Sequence, residues 1–573
     1  MLKKYLLVFA GCVCSVVSGF VVTRIARSTD ASITANAVYI NGKVFTGGDG
    51  SPIVQAFAVK DGHFLAVGTS KAMKRHIGKT TTVVDLNGHL VTPGLADGHL
   101  HNEGGGPGFD LSTSRSLSEL LAAVATAVKN APPGELVISN ADWHEAQLTE
   151  KRLPRAAEID SVSPDNPVVL VRGGHEYILN SQALRKWNIT KDTVSPDGGS
   201  IGKGPDGSLN GELTDNAKQL IQLPPARPVS IDDILKTQKT LNAYGITSVR
   251  IPGIYRGSAL PVVKLMNQLR DAGHLTLRFS IYLPGFGYSD PAKIREMIAK
   301  SGLKLDEGDE WAKVIGIKLA VDGGFEGAHM TQPYEEPYGL GGKYFGLTVV
   351  PPAKYTEVVK EINRMGWRVA THAVGDAGLD QVLDAYEAAD AEHSIAGKRW
   401  AVEHAFILRP DQLVRLKKLD VILSVQDHLY LVAPTLKKYW GTQRANAVTP
   451  LKTYLDNGFL LIGGTDSPVV PYNPFWEIYH FHTRDTMTDG VYGADLRVQS
   501  RGTLLQMITS NYSKAVGEEA LLGSIDVGKL ADFAILSDDL LTVPATEMLK
   551  IRAVATYVGG KEVYRDSADR SLR

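Results

Sequence analysis

Cysteine is almost missing from this chain. Its 573 residues hold two, Cys12 and Cys14, both close to the N-terminus. The body therefore carries no disulfide and no thiolate metal site, so any metal must be held by imidazole and oxygen ligands. An excess of one charge is missing too: 61 Lys and Arg stand against 62 Asp and Glu, for a formal net charge of -1. That balance excludes a global pull on nucleic acid or anionic membrane, and it favours a small, uncharged or mixed substrate. No internal repeat or low-complexity tract occurs.

What is present begins with a leader. Lys3 and Lys4 precede an apolar run from Tyr5 to Val22, interrupted only by glycine and serine. A charged start followed by such a run reads as an export signal or a membrane anchor. Residues 1–31 are accordingly expected to be a signal peptide or anchor. The body then lies on the periplasmic or extracellular side, and any membrane association runs through the N-terminus.

At this length the chain needs more than one simple core. Residues 32–92 and 500–573 share a style of short strands and turns, so both chain ends are expected to build one composite β-sandwich. Asn41-Gly42 and Asp61-Gly62, each between alternating apolar runs, predict hairpins. Between these flanks, strands alternate with amphipathic helices, the pattern of a parallel sheet with crossover helices. Eight strand candidates stand out: LVTPGLADGHLH, GITSVRI, LTLRFSIYL, VIGIKLAVDG, WRVATHAV, WAVEHAF, DVILSVQ and GFLLIGGTDS. The predicted class is α/β, a (β/α)8 TIM barrel over 93–499. An insertion at about 102–230 forms a cap subdomain after the first barrel strand.

Chemistry in such a barrel sits at the C-terminal strand ends. His99 and His101 close the first strand, two residues apart on one face of an extended chain. His372, His404 and Asp466 end the fifth, sixth and eighth strands. A lone histidine at a strand end is more often packed than functional. Four imidazoles and a carboxylate around one rim are harder to assign to packing, and they suit zinc, with manganese, iron or nickel as alternatives.

With these residues in place, the chain resembles the amidohydrolase superfamily. The resemblance rests on VTPGLADGHLH, GTDSP and GSIDVGKLADFAIL. It is similar to the branch containing N-substituted formamide deformylases, amidohydrolase family 3, through LPRAAEIDSVSPDNPVVLVRGGHEYILNSQAL, GIKLAVDGG and ATHAVGD. The resemblance implies one or two divalent metal ions, zinc first, held by His99, His101, Lys318, His372, His404 and Asp466. It places at Lys318 a carbamate made from CO2, which could bridge two cations; the plain alternative is a buried lysine paired to a carboxylate such as Asp322. Asp466 is then the catalytic proton carrier beside metal-activated water. In the insertion, His175 and Trp143 are substrate-binding candidates, with core packing the competing role for Trp143. The branch commonly reads Asp-Gly-His where this chain has Gly173-Gly174-His175, so the acidic residue's role is missing there. Asp215 stands where a glutamate is more usual.

The expected activity is hydrolysis of a non-peptide C–N bond, an amide or N-formyl group on a small molecule. Rivals on the same barrel are ester or lactone hydrolysis and deamination. A rival from another class is a catalytically inactive, membrane-tethered binding protein. A homo-oligomer is compatible with all of these.

Overall fold

The structure, a computed structural model, describes residues 33–48, 50, 52–101, 108–224, 228–253, 259–467, 469 and 473–572. The expected leader lies outside the described residues. Among the described residues no helix is long and apolar enough to cross a membrane.

The barrel strands are β1 (Leu95–Asp97), β2 (Ile246–Ile251), β3 (Arg278–Pro284), β4 (Ala312–Ala320), β5 (Val369–Ala373), β6 (Ala401–His404), β7 (Ile422–Gln426) and β8 (Leu461–Gly464). They form one eight-stranded sheet in chain order, every neighbouring pair parallel. This is the predicted TIM barrel. β2 and β5 to β8 are buried along their whole length, which is why they are rich in apolar residues, with Ser248, Arg250, Glu403 and Ser424 among the buried polar exceptions.

The ends of the sheet meet beyond β1 and β8. Gly98 N–H donates to Gly463 O at 2.8 Å, Asp466 N–H to His99 O at 2.6 Å, and His101 N–H to Ser467 O at 3.0 Å. Glycine makes that approach achievable: a Cβ on Gly98 would lie 2.4 Å from Gly463 O, and one on Gly464 2.3 Å from His99 N.

Crossover helices follow the 3.6-residue period. Pro352–Arg364 starts with Pro352 and buries Tyr355, Val358, Val359 and Ile362 on the barrel. Each such side chain contributes roughly 1.5–3 kcal/mol of burial. The helix stops before Gly366, at φ 79°. Residues 501–516 depart from the expected boundary at 500. They form helices Arg501–Met507 and Ser510–Val516, and Tyr512 packs into the barrel floor with Ala96, Tyr282 and Ile462.

The flanks give two sheets. The four-stranded one comes from the N-terminal side, and the six-stranded one joins Lys43–Phe45, Ile53–Val54 and Leu90–Pro93 to the C-terminal strands Phe533–Leu536, Ala553–Val558 and Lys561–Arg565. Tyr39, Phe57, Phe533 and Tyr557 share the core between them. Asp61-Gly62 makes the expected hairpin between Ala56–Lys60 and His63–Gly68. Asn41-Gly42 does not: Ala37–Ile40 pairs in the four-stranded sheet and Lys43–Phe45 in the six-stranded one, so the turn is a corner between sheets. The insertion carries a five-stranded sheet over its own apolar core. There PVVLVRGGHEYILN folds as the antiparallel pair Val168–Arg172 and Glu176–Leu179.

Candidate metal centre

The barrel brings His99, His101, His404 and Asp466 together. Asp466 Oδ1 is 3.3 Å from His99 Nε2 and 3.3 Å from His101 Nε2. The His99 and His404 rings are 5.0 Å apart, and those of His372 and His404 4.5 Å. His99, His404 and Asp466 each offer a ligand atom within 4.8 Å of the others. His404 and Asp466 hold positive φ, 76° and 58°. Such strain in non-glycine residues clusters at functional sites, and here it turns both side chains inward at their strand ends.

Each imidazole has one nitrogen committed. His99 Nδ1–H donates to Glu403 Oε2 at 2.7 Å, and His101 Nδ1–H to Gly253 O at 3.1 Å. His404 Nδ1–H donates to Gln426 Oε1 at 2.7 Å, and His372 Nε2–H to Gly323 O at 3.2 Å. That leaves the lone pair on Nε2 of three rings and on Nδ1 of His372, the tautomers a metal requires. Burial pushes the His99 imidazole down to about 4 and holds those of His372 and His404 well below the ordinary histidine value, so the rings are neutral at neutral pH. Burial opposes charge on Asp466, but His99, His101 and His428 outweigh it and hold its carboxyl well below the usual range. His99 Nε2 and Asp466 Oδ1 are buried side by side with no hydrogen-bond partner. A cation between them would resolve both; the donor set fits one.

Lys318 reaches the same space from the end of β4. It is 1% exposed, and burial pushes its ammonium down to about 8. Asp322 is not its partner. The Asp322 carboxylate accepts the backbone N–H groups of His329, Val374 and Gly375, and lies 3.6 Å from His372 Nε2.

His175 stands next to this group, its ring 5.2 Å from that of His372. Its Nδ1–H donates to Asp215 Oδ1 at 2.7 Å. Burial works against charge on this ring, but Asp215 outweighs it and raises the imidazole above its ordinary value. Asp215 thus supplies a carboxylate to the histidine whose own segment has glycine in place of acid. Room for it comes from Gly323, where a Cβ would lie 2.2 Å from Asp215 Oδ2.

Trp143 is a correction. It sits in the insertion's core with Leu111, Leu148 and Leu170, its indole N–H donating to Val171 O at 2.7 Å, because a large ring with one donor satisfies itself there.

The sequence reading missed His428, whose Nε2 is 3.2 Å from Asp466 Oδ2 between the rings of Phe325 and Phe406. Its signal was available: Asp427-His428 follows β7 as Thr465-Asp466 follows β8. The reading also missed Glu403 and Arg250, buried together inside the barrel.

The family model described as "Amidohydrolase family" matches residues 82–564. The chain belongs to the amidohydrolase family. Among curated relatives, Protein LONG AFTER FAR-RED 3 of Arabidopsis thaliana is 31% identical over 551 residues, covering 93% of this chain and 92% of that protein. N-substituted formamide deformylase of Arthrobacter pascens is 26% identical over 546 residues, covering 91% and 97%. Among solved structures, an uncharacterized metal-dependent hydrolase from Pyrococcus horikoshii superposes with a TM-score of 0.64 at 23% identity, covering 89% of this chain and 99% of that one; the likeness is one of fold.

Proposed function

We propose that this amidohydrolase cleaves a non-peptide C–N bond, an amide or N-formyl group on a small molecule. The observation that carries the reading is the convergence of four neutral imidazoles with Asp466 and Lys318 at one end of the barrel. The deformylase from Arthrobacter pascens supports the bond class. His99, His101, His372, His404 and Asp466 would hold divalent metal, zinc first, with Lys318 as a carbamate between two ions. A bound cation supplies Lewis acidity and lowers the pKa of water within its reach.

The protein's own part is positional and protonic. The committed nitrogens fix each ring. Asp466 is ionised and takes a proton from the attacking water. Its Oδ2, beside His428 Nε2, holds that proton until the leaving nitrogen needs it, so the amine departs neutral. His175, fixed by Asp215 at the edge of the centre, contacts the substrate. We also propose that residues 1–31 are an export signal or membrane anchor, which would put this activity on the periplasmic or extracellular side; Lys3, Lys4 and the apolar run from Tyr5 to Val22 support that reading.

The test is metal analysis of the purified protein, followed by a panel of N-formyl, N-acyl, ester, lactone and amino-heterocycle substrates on the zinc-loaded form. Hydrolysis of N-formyl or N-acyl amines is expected. Turnover of the esters, lactones or amino-heterocycles with none of the amides would overturn the reading.

A further inference from the structure

The barrel interior beneath the centre holds an ion pair where layers of branched apolar side chains are usual. Arg250 comes from β2 and Glu403 from β6, and they are 1% and 0% exposed. Glu403 Oε1 accepts from Arg250 Nη2 at 2.5 Å, and Glu403 Oε2 from Arg250 Nη1 at 3.1 Å. The same Oε2 accepts His99 Nδ1–H at 2.7 Å. Arg250 Nη1 also donates to Gly98 O at 3.0 Å, and the guanidinium lies over the Tyr282 ring at 4.5 Å. One buried pair thus grips both the ring of His99 and the backbone immediately before it.

An apolar pair of similar volume would serve folding as well or better, because desolvating two charges costs about as much as their attraction returns. Orientation is what this pair adds. Both Glu403 oxygens lie in the fork of the Arg250 guanidinium, so His99 donates to an ion-paired carboxylate that cannot turn away. That fixes the Nδ1–H tautomer, aims Nε2 at Asp466, and makes the imidazole a stronger donor to a cation. The backbone geometry agrees. Alternation along β6 sends Glu403 inward, and the positive φ of His404 lets the next side chain reach the centre as well.

We infer that Glu403 and Arg250 are positioning residues that set how tightly the centre holds its metal, acting through His99. The inference rests on the proposed metal centre. The experiment uses the full chain, stripped with chelator and titrated with Co2+, with affinity read by competition and ligand geometry by the visible absorption of the bound ion. Wild type, Glu403→Gln and the double variant Arg250→Met/Glu403→Gln are compared. The double variant removes both charges, so a folded sample remains if the single variant fails; thermal melts confirm the fold. Affinity about 10–100-fold weaker, with an altered cobalt spectrum, is expected in whichever variants fold. Wild-type affinity and spectrum in a folded variant would overturn the inference alone. A wild-type chain that takes up no Co2+ would overturn the metal centre with it.

Discussion

Gly98→Ala tests whether closure of the barrel and assembly of the centre are one event. The added methyl would sit 2.4 Å from Gly463 O and 3.3 Å from Ile462 Cδ1. Backbone cannot yield as a side chain end can, so β1 and β8 must part by about 1 Å. Overpacking of this kind costs roughly 1–3 kcal/mol. The hydrogen bond from Gly98 to Gly463 weakens too, and with it those of Asp466 to His99 and His101 to Ser467, at about 0.5–1.5 kcal/mol each. A loss of about 2.5–7.5 kcal/mol is expected, the upper end if all three bonds are lost, read by denaturant unfolding. Because His99 and Asp466 flank the seam with their ligand atoms 3.3 Å apart, bound zinc should fall in the same variant. Gly502→Ala is the control: its Cβ would meet Phe45 at 3.5 Å, ordinary contact, inside a helix where alanine is favoured. Unchanged stability and zinc content in Gly98→Ala would refute the reasoning.

Asp466→Asn should abolish turnover of whichever amide the panel identifies while metal stays largely bound; retained activity would remove Asp466 as the proton carrier. Lys318→Ala should lose metal and recover part of it when formate or acetate is added, measured by elemental analysis; unchanged metal content would refute the bridge. Stability should fall on acidification through His480. Burial holds its imidazole at about 3 in the folded chain against 6.5 when unfolded, so below pH 6.5 the unfolded state binds a proton that the folded state refuses. The loss sets in as pH drops below 6.5 and deepens toward 3, at most about 1.4 kcal/mol per pH unit. His480→Gln should flatten the profile between pH 7 and 5 in denaturant melts, and an unchanged slope would count against it.

Much of this was legible in the sequence because parallel strands buried on both faces are rich in apolar residues, and histidines and an aspartate at their ends interrupt that pattern. His99, His101, His372, His404 and Asp466 all break an apolar run at a strand terminus. His428 escaped because it opens a helix, where a histidine looks like any other first-turn residue. Glu403 and Arg250 escaped because alternation says which way a side chain points, not what it meets across the barrel. Asn41-Gly42 misled for a related reason: the dipeptide fixes a local bend, and which sheet takes the next strand is decided by distant partners. Trp143, read as a substrate-binding candidate, instead satisfies its indole N–H on a carbonyl within the insertion.

The segment 90–97 changes allegiance at Gly94. Leu90–Pro93 lies between Lys43–Phe45 and Phe533–Leu536, and Leu95–Asp97 opens the barrel two residues before His99. A chain emerging from the ribosome must therefore make Leu90–Pro93 more than four hundred residues before Phe533–Leu536, the strand that flanks it on the other side. Removing the C-terminal tail would leave the polypeptide just upstream of His99 with an open edge, so a truncated product should forfeit its cation before it forfeits its helices.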